Sequence, residues 1–220
     1  MNWSDEGFLL SKNNYSENSI IIETFTLNHG KFNGIVYGGA SRKQKKNLQI
    51  GNKILLNWKS KGENRPGYFT VELLNPISPL YFDDKKKIAC ILCASSILKI
   101  LLPERQINKV IYKSFDNVLN NLNQNNWINL YIKWELSLIK ELGFEIDFLN
   151  LSSFNQKKSI EINNKSFKIP EIFLNNNKKI NNYLIREALV FNKKLLIENF
   201  ITPNNLRFPL SRNILENYYI

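Results

Sequence analysis

The sequence predicts an α+β protein, with an N-terminal five-stranded barrel followed by a helical region that carries a small irregular hairpin. Three observations lead there. Up to about residue 82, short runs rich in Ile, Leu, Phe, Tyr and Thr are separated by Asn, Gly or Pro clusters. From Asp83 onward the apolar spacing changes from every second residue to every third or fourth. A chain of 220 residues with 43% hydrophobic content is also long enough for one large domain or two small ones with their own cores.

The expected strands are Phe8–Lys12, Ser19–Thr26, Gly34–Tyr37, Lys53–Lys59 and Tyr68–Leu74. Ile54, Leu56 and Trp58 alternate with polar neighbours, and Phe69, Val71 and Leu73 do the same, so each run buries one face. Asn28-His29-Gly30 is a turn, and Arg65-Pro66-Gly67 leads into the fifth run. Five strands in about 75 residues suit a small barrel, of which the OB-fold is the commonest; sandwiches and SH3-like barrels match the pattern nearly as well.

Asp83-Asp84 starts a helix that runs to Leu102 before Pro103. Ile107–Leu122 and Trp127–Leu142 follow, the latter with Trp127, Tyr131, Trp134 and Leu138 on one stripe and Gly143 as its stop. Residues 144–180 form a polar excursion, with a hairpin of Ile160, Ile162, Phe167 and Ile169 around Asn163-Asn164. Asn182–Ile201 is a further apolar helix stopped by Pro203, and Leu210–Tyr219 closes the chain. The expected division is a nucleic-acid-binding barrel over residues 1–80 and a helical domain over 81–220.

The formal net charge is +11, and its distribution matters more than its size. Asn, Ile and Lys make up about two residues in five, a compositional bias that inflates Lys and surface Asn alike. Residues 31–65 nevertheless hold nine basic residues against Glu63 alone. Arg42, Lys43, Lys45 and Lys46 are the densest group, flanked by Lys31 on one side and by Lys59, Lys61 and Arg65 on the other. Such a stripe suits a polyanion, because cations that neutralise phosphates release condensed counterions. It also suits a solvated loop. Phe32, Tyr37, Trp58 and Tyr68 interleave it; Trp58 shares the face of Ile54 and Leu56, which leaves Tyr37 and Tyr68 as the expected base-stacking rings.

Other groups carry little chemistry. Cys90-Ile91-Leu92-Cys93 lies inside an apolar helix, where Cys packs as a small hydrophobe, and a zinc site would need a second ligand pair. The single histidine, His29, reads as a solvent-exposed turn residue, and Asp83-Asp84 as a helix cap rather than a Mg²⁺ site. No phosphate-binding glycine loop or catalytic constellation is present, so a binding protein without cofactor is expected rather than an enzyme. The N-terminus lacks a secretory pattern and the longest apolar run, Ile88 to Leu102, falls short of a bilayer span; a soluble cytoplasmic protein, with a monomer as the default, is the expectation.

A series of short motifs carries a resemblance. It comprises Trp3-Ser4-Asp5-Glu6-Gly7, Phe25-Thr26-Leu27-Asn28-His29-Gly30, Gly38-Gly39-Ala40-Ser41-Arg42-Lys43 and Leu48-Gln49-Ile50-Gly51. Leu102-Pro103-Glu104-Arg105, Tyr131-Ile132-Lys133-Trp134-Glu135-Leu136 and Glu141-Leu142-Gly143-Phe144 continue it. In this order it resembles the bacterial RecO family of DNA repair and recombination mediators, most of all the alphaproteobacterial branch, over about residues 1–150. The resemblance implies an OB-fold and a helical domain, binding of single- and double-stranded DNA, annealing of complementary strands, and help in loading RecA onto DNA coated by single-strand-binding protein (SSB). It implies RecR and the SSB C-terminal tail as partners, and places DNA contacts on Arg42, Lys43, Lys45 and Lys46. It also places Lys133, where relatives carry Arg, on the helix that helps hold the SSB tail; Lys lacks the forked geometry for a bidentate grip on a carboxylate. Some relatives carry a four-cysteine zinc site after the stretch equivalent to Glu141–Phe148; here Leu149 to Lys168 has no cysteine, and no metal is expected. An RNA-binding OB factor, or an adaptor whose helical domain binds acidic peptides, are the alternative readings.

Overall fold

The computed structural model describes residues 2–60, 67–144, 159–162, 165–174 and 180–220. The chain forms two compact units, Met1–Asn120 and Asn121–Ile220. The first therefore takes in two long helices as well as the strands.

In the first unit, β1 (Asn2–Asn14), β2 (Ser19–Thr26), β3 (Gly30–Tyr37), β4 (Lys53–Lys59) and β5 (Tyr68–Asn75) close a barrel in the order β1-β2-β3-β5-β4. All neighbours are antiparallel except β3 and β5, which meet at Ile35 and Tyr68. This is the OB arrangement. Strand β1 is much longer than the apolar run Phe8–Lys12 suggested, because it works twice: Asn2 to Phe8 pair with β4, and Gly7 to Asn14 pair with β2, with an irregularity between Leu9 and Ser11. Such a bulge lets one strand turn from one neighbour to the next and closes the cylinder.

The interior is apolar and follows the alternation read from the sequence. Leu9, Ile20, Ile22, Val36, Ile54, Leu56, Trp58, Phe69 and Val71 fill it, joined by Leu48. Fully burying each such side chain is worth ~1.5–3 kcal/mol. Gly67 lies so close to the Trp58 indole that a Cβ would come within 2.3 Å of it, so the fifth strand begins where only glycine fits. Trp3 stacks between His29 (4.1 Å) and Trp58 (5.7 Å). His29 is therefore not the solvent-exposed residue expected: its ring packs on Trp3, and its Nδ1 lies 2.9 Å from the Asp5 carboxylate, which also accepts from the Asn28 backbone N–H. Gly30, at φ +75, completes that turn; a Cβ there would collide with the Gln106 backbone.

Between β3 and β4 runs a short helix, α1 (Arg42–Asn47). After β5, a 3-10 turn at Ser78–Tyr81 leads to α2 (Lys85–Leu101) and α3 (Lys109–Asn120). Asp84 caps α2 by accepting from the Lys86 and Lys87 N–H groups. Phe8 and Phe25, on the outer side of the barrel wall, pack against Tyr112 and Phe115 of α3. Cys90 and Cys93 are wholly buried in α2 and form no disulfide.

The second unit contains α4 (Trp127–Glu141), a hairpin of β6 (Ser159–Ile162) and β7 (Lys165–Lys168), α5 (Glu171–Leu174), α6 (Asn182–Leu196) and α7 (Leu210–Asn217). A π-helical turn, Ile197–Ile201, continues α6. At its centre the Arg212 guanidinium donates to both oxygens of Glu135 (2.6 and 3.1 Å) and to the Leu189 carbonyl (2.7 Å). Both side chains are 0% exposed. Asn192 donates to Glu135 and to the Ile132 carbonyl, and the Tyr131 hydroxyl also donates to Glu135. Taking a carboxylate–guanidinium pair out of water is costly, and the added donors to Glu135, with Glu216 3.6 Å from Arg212 Nη1, offset part of that cost.

Candidate nucleic-acid interface

The segment 42–46, read as a loop from the sequence, is helical. Ser41 Oγ accepts from the Gln44 N–H at its start, and Leu48, just beyond its end, is buried in the barrel core. Those two anchors hold a helix that has no apolar face of its own. Arg42, Lys43, Lys45 and Lys46 are all exposed. Arg42, Lys45 and Lys46 share one side by the i, i+3, i+4 rule, while Lys43 points elsewhere. Lys45 and Lys46 also sit in the last turn, where the helix dipole favours cations.

Lys12 joins this group and was missed in the sequence, since it stands alone in β1. Its ammonium donates to the Leu48 carbonyl at 2.5 Å. Burial, and then the neighbouring charge of Lys45, hold its pKa below the ordinary lysine value. A phosphate bound beside Lys12 and Lys45 would relieve the repulsion that Lys12 feels there.

The aromatic candidates differ in exposure, with Tyr68 half-buried. Trp58 belongs to the core, whereas Tyr37 is 66% exposed and lies 5.9 Å from Tyr68, ring to ring. Lys59 is exposed and stands opposite Tyr68 in the β4–β5 register. Tyr15, also exposed, lies in the β1–β2 turn, where its N–H bonds to Ser19, the residue paired with Tyr37. A lone Tyr between Asn14 and Ser16 gives no periodic signal, so register alone reveals its place. Phe32 is engaged internally, edge-on to Trp3 and Trp58 and covered by the Arg105 guanidinium.

Two cations of the basic stretch are spent within the fold. The Lys31 ammonium donates to the Lys99 carbonyl at 2.7 Å; burial lowers its pKa, while Glu23 and Glu104 act in the opposite sense. It lies at the opposite end of β3 from Tyr37, about 20 Å away at strand rise. Lys53 pairs with Glu6 (3.0 Å) and approaches Asp116 (3.7 Å). The Glu6 carboxylate also accepts from Tyr112, whose pKa is raised first by burial and then by that charge. Lys61 and Arg65 lie outside the described residues, as does most of the stretch considered for zinc. Among the described residues no group of three or more His, Cys, Asp or Glu could hold a metal ion, and no helix is long and apolar enough to cross a membrane. In the second unit Lys133 is exposed on the face of α4 opposite Tyr131, Trp134 and Glu135.

Comparison with known proteins agrees with this architecture. Residues 1–77 match the family described as Recombination protein O N terminal, and residues 83–157 match Recombination protein O C terminal. A DNA repair protein RecO of Cereibacter sphaeroides is 38% identical over 147 residues, spanning 67% of this chain and 61% of the relative. The RecO proteins of Roseobacter denitrificans and Hyphomonas neptunium are each 33% identical, over 61% and 62% of their own lengths. The chain thus spans about three fifths of the length of these relatives. It belongs to the RecO family.

Proposed function

We propose that this chain is a non-enzymatic DNA-binding protein of recombinational repair, which holds single- and double-stranded DNA on the barrel and anneals complementary strands. The observation that carries the reading is one closed barrel bearing an anchored helix with four exposed cations and, at the end of the preceding strand, the exposed Tyr37 ring beside half-buried Tyr68 at the start of β5. Cations on the surface cancel strand repulsion and pairing supplies the driving force, so annealing needs no nucleotide hydrolysis. Arg42, Lys43, Lys45, Lys46 and Lys59 contact phosphates; Tyr37 and Tyr68 stack bases. The family resemblance supports the further proposal that the protein helps load RecA onto SSB-coated DNA together with RecR, with Lys133 touching the SSB tail.

The test is fluorescence anisotropy of a labelled single strand across a salt series, with wild type beside the Arg42, Lys43, Lys45 and Lys46 to Ala variant. Each single-strand phosphate contact contributes about 0.7 to the log–log salt slope, so the variant should lose up to about 3. Equal affinity and slope for the two proteins would overturn the proposed DNA path. A matched RNA oligonucleotide in competition separates DNA from RNA, since only RNA offers the 2′-hydroxyl. Tail binding is tested with a labelled SSB tail peptide, which should be weakened by Lys133→Glu.

A further inference from the structure

A cleft of about 570 Å³ is lined by Arg42, Lys45, Lys46, Gln49, Pro79 and Phe82. One wall is the three-cation side of α1. The other is the 3-10 turn after β5, and none of the lining residues is acidic. Phe82, 59% exposed, shows its ring to solvent beside those cations. The ring is presented by a fixed support. Ser78, almost fully buried, donates from its hydroxyl to the Ile50 carbonyl and from its N–H to the Asn52 side chain (3.1 Å), and Ile77 is buried beside it. The turn carrying Phe82 is thereby tied to the turn that follows α1, so both walls are held by the same stretch, Gln49–Asn52. The volume lies within the ~300–1,000 Å³ of small-ligand clefts.

Resting on the proposed DNA-binding function, we infer that this cleft holds one unpaired nucleotide of a single strand, with its base on the Phe82 ring and its flanking phosphates on Arg42 and Lys46. A flat, accessible ring next to cations is a stacking platform. It is not a socket that would enclose an aliphatic side chain. Gln49, whose amide already donates to the Lys45 carbonyl, keeps its oxygen as an acceptor for a base edge. Bases within a duplex are stacked on one another and cannot reach Phe82, whereas phosphates of either form can reach α1. The cleft therefore discriminates single from double strands, and α1 alone does not.

The experiment compares wild type, Phe82→Ala and Phe82→Trp by anisotropy on a single strand and on the matching duplex. Removing one stacking ring should weaken single-strand binding about 5- to 100-fold and leave duplex binding within about twofold, and Trp should restore it. A single strand carrying 2-aminopurine should lose fluorescence on binding wild type and regain it with Phe82→Ala. Equal effects on both DNA forms, or none on either, would overturn the inference while leaving DNA binding intact. Failure of the wild type to bind either form would instead sink the underlying function. Phe82-dependent capture of a labelled poly-glutamate peptide, with single-strand binding unchanged by Phe82→Ala, would reassign the cleft to acidic peptides. Phe82 is exposed, so loss of folding does not confound the comparison; thermal melts of the variants check this.

Discussion

Arg42 and Arg212 are the same residue in two opposite settings. Arg42 stands in solvent on a helix whose own side chains bury nothing, held only by a cap and by Leu48 beyond its end. Arg212 is 0% exposed and clasps Glu135 with two hydrogen bonds, inside a network that includes Asn192 and Tyr131. The first charge is available to a partner and contributes little to folding. The second is unavailable to any partner and holds α4, α6 and α7 together. A net charge of +11 adds the two kinds without distinguishing them.

The comparison breaks most decisively at the buried end. Arg212→Met leaves the Glu135 carboxylate in the interior without its counter-ion, with only Asn192 and Tyr131 donating to it, and should cost about 3–5 kcal/mol in a denaturant titration. Trp127 and Trp134 report the second unit, whereas Trp3 and Trp58 report the first. Pairing it with Glu135→Leu should recover much of the loss, because two apolar side chains need no partners. If the single variant melts like wild type, the pair is not what organises the second unit.

The exposed end should behave in the reverse way. Replacing Arg42, Lys43, Lys45 and Lys46 by Ala should move stability by less than about 1 kcal/mol, as for exposed charges in general, while single-strand affinity falls by ~tenfold or more at low salt. A large drop in melting temperature would mean that α1 is structural after all. Ser41→Ala removes the cap without touching a charge. It should cost about 1 kcal/mol locally and loosen DNA binding by a few-fold, seen as faster hydrogen exchange at the Gln44 amide. Smallest of all, Lys31→Met should leave the salt slope unchanged within about 0.5, because its ammonium is already engaged by Lys99.

The barrel was legible because its interior obeys period two: Ile54, Leu56 and Trp58, then Phe69 and Val71, declare one buried face each. The first half of β1 was hidden because Trp3 to Gly7 mixes charge and glycine, and its pairing partner β4 lies some fifty residues away. Helix α1 was hidden for a related reason. Arg42 to Asn47 has no apolar spacing, and the anchor that holds it, Leu48, falls outside the helix. Lys31 and Lys59 look alike in sequence, but only the folded register shows that one is bonded to a carbonyl and the other faces water. The Glu135–Arg212 pair joins residues 77 apart, which no local pattern can announce.

The two cysteines have a use beyond packing. Both lie in α2 at 0% exposure, and the chain has no others. A shielded thiol reacts with a reagent only when its surroundings part. The rate at which a maleimide dye enters the native protein is therefore a clock for the opening of the first unit and is silent about the second. The same shielding favours site-specific tagging: a cysteine placed at exposed Lys43, away from the Phe82 cleft, should take the dye long before Cys90 or Cys93 can compete for it.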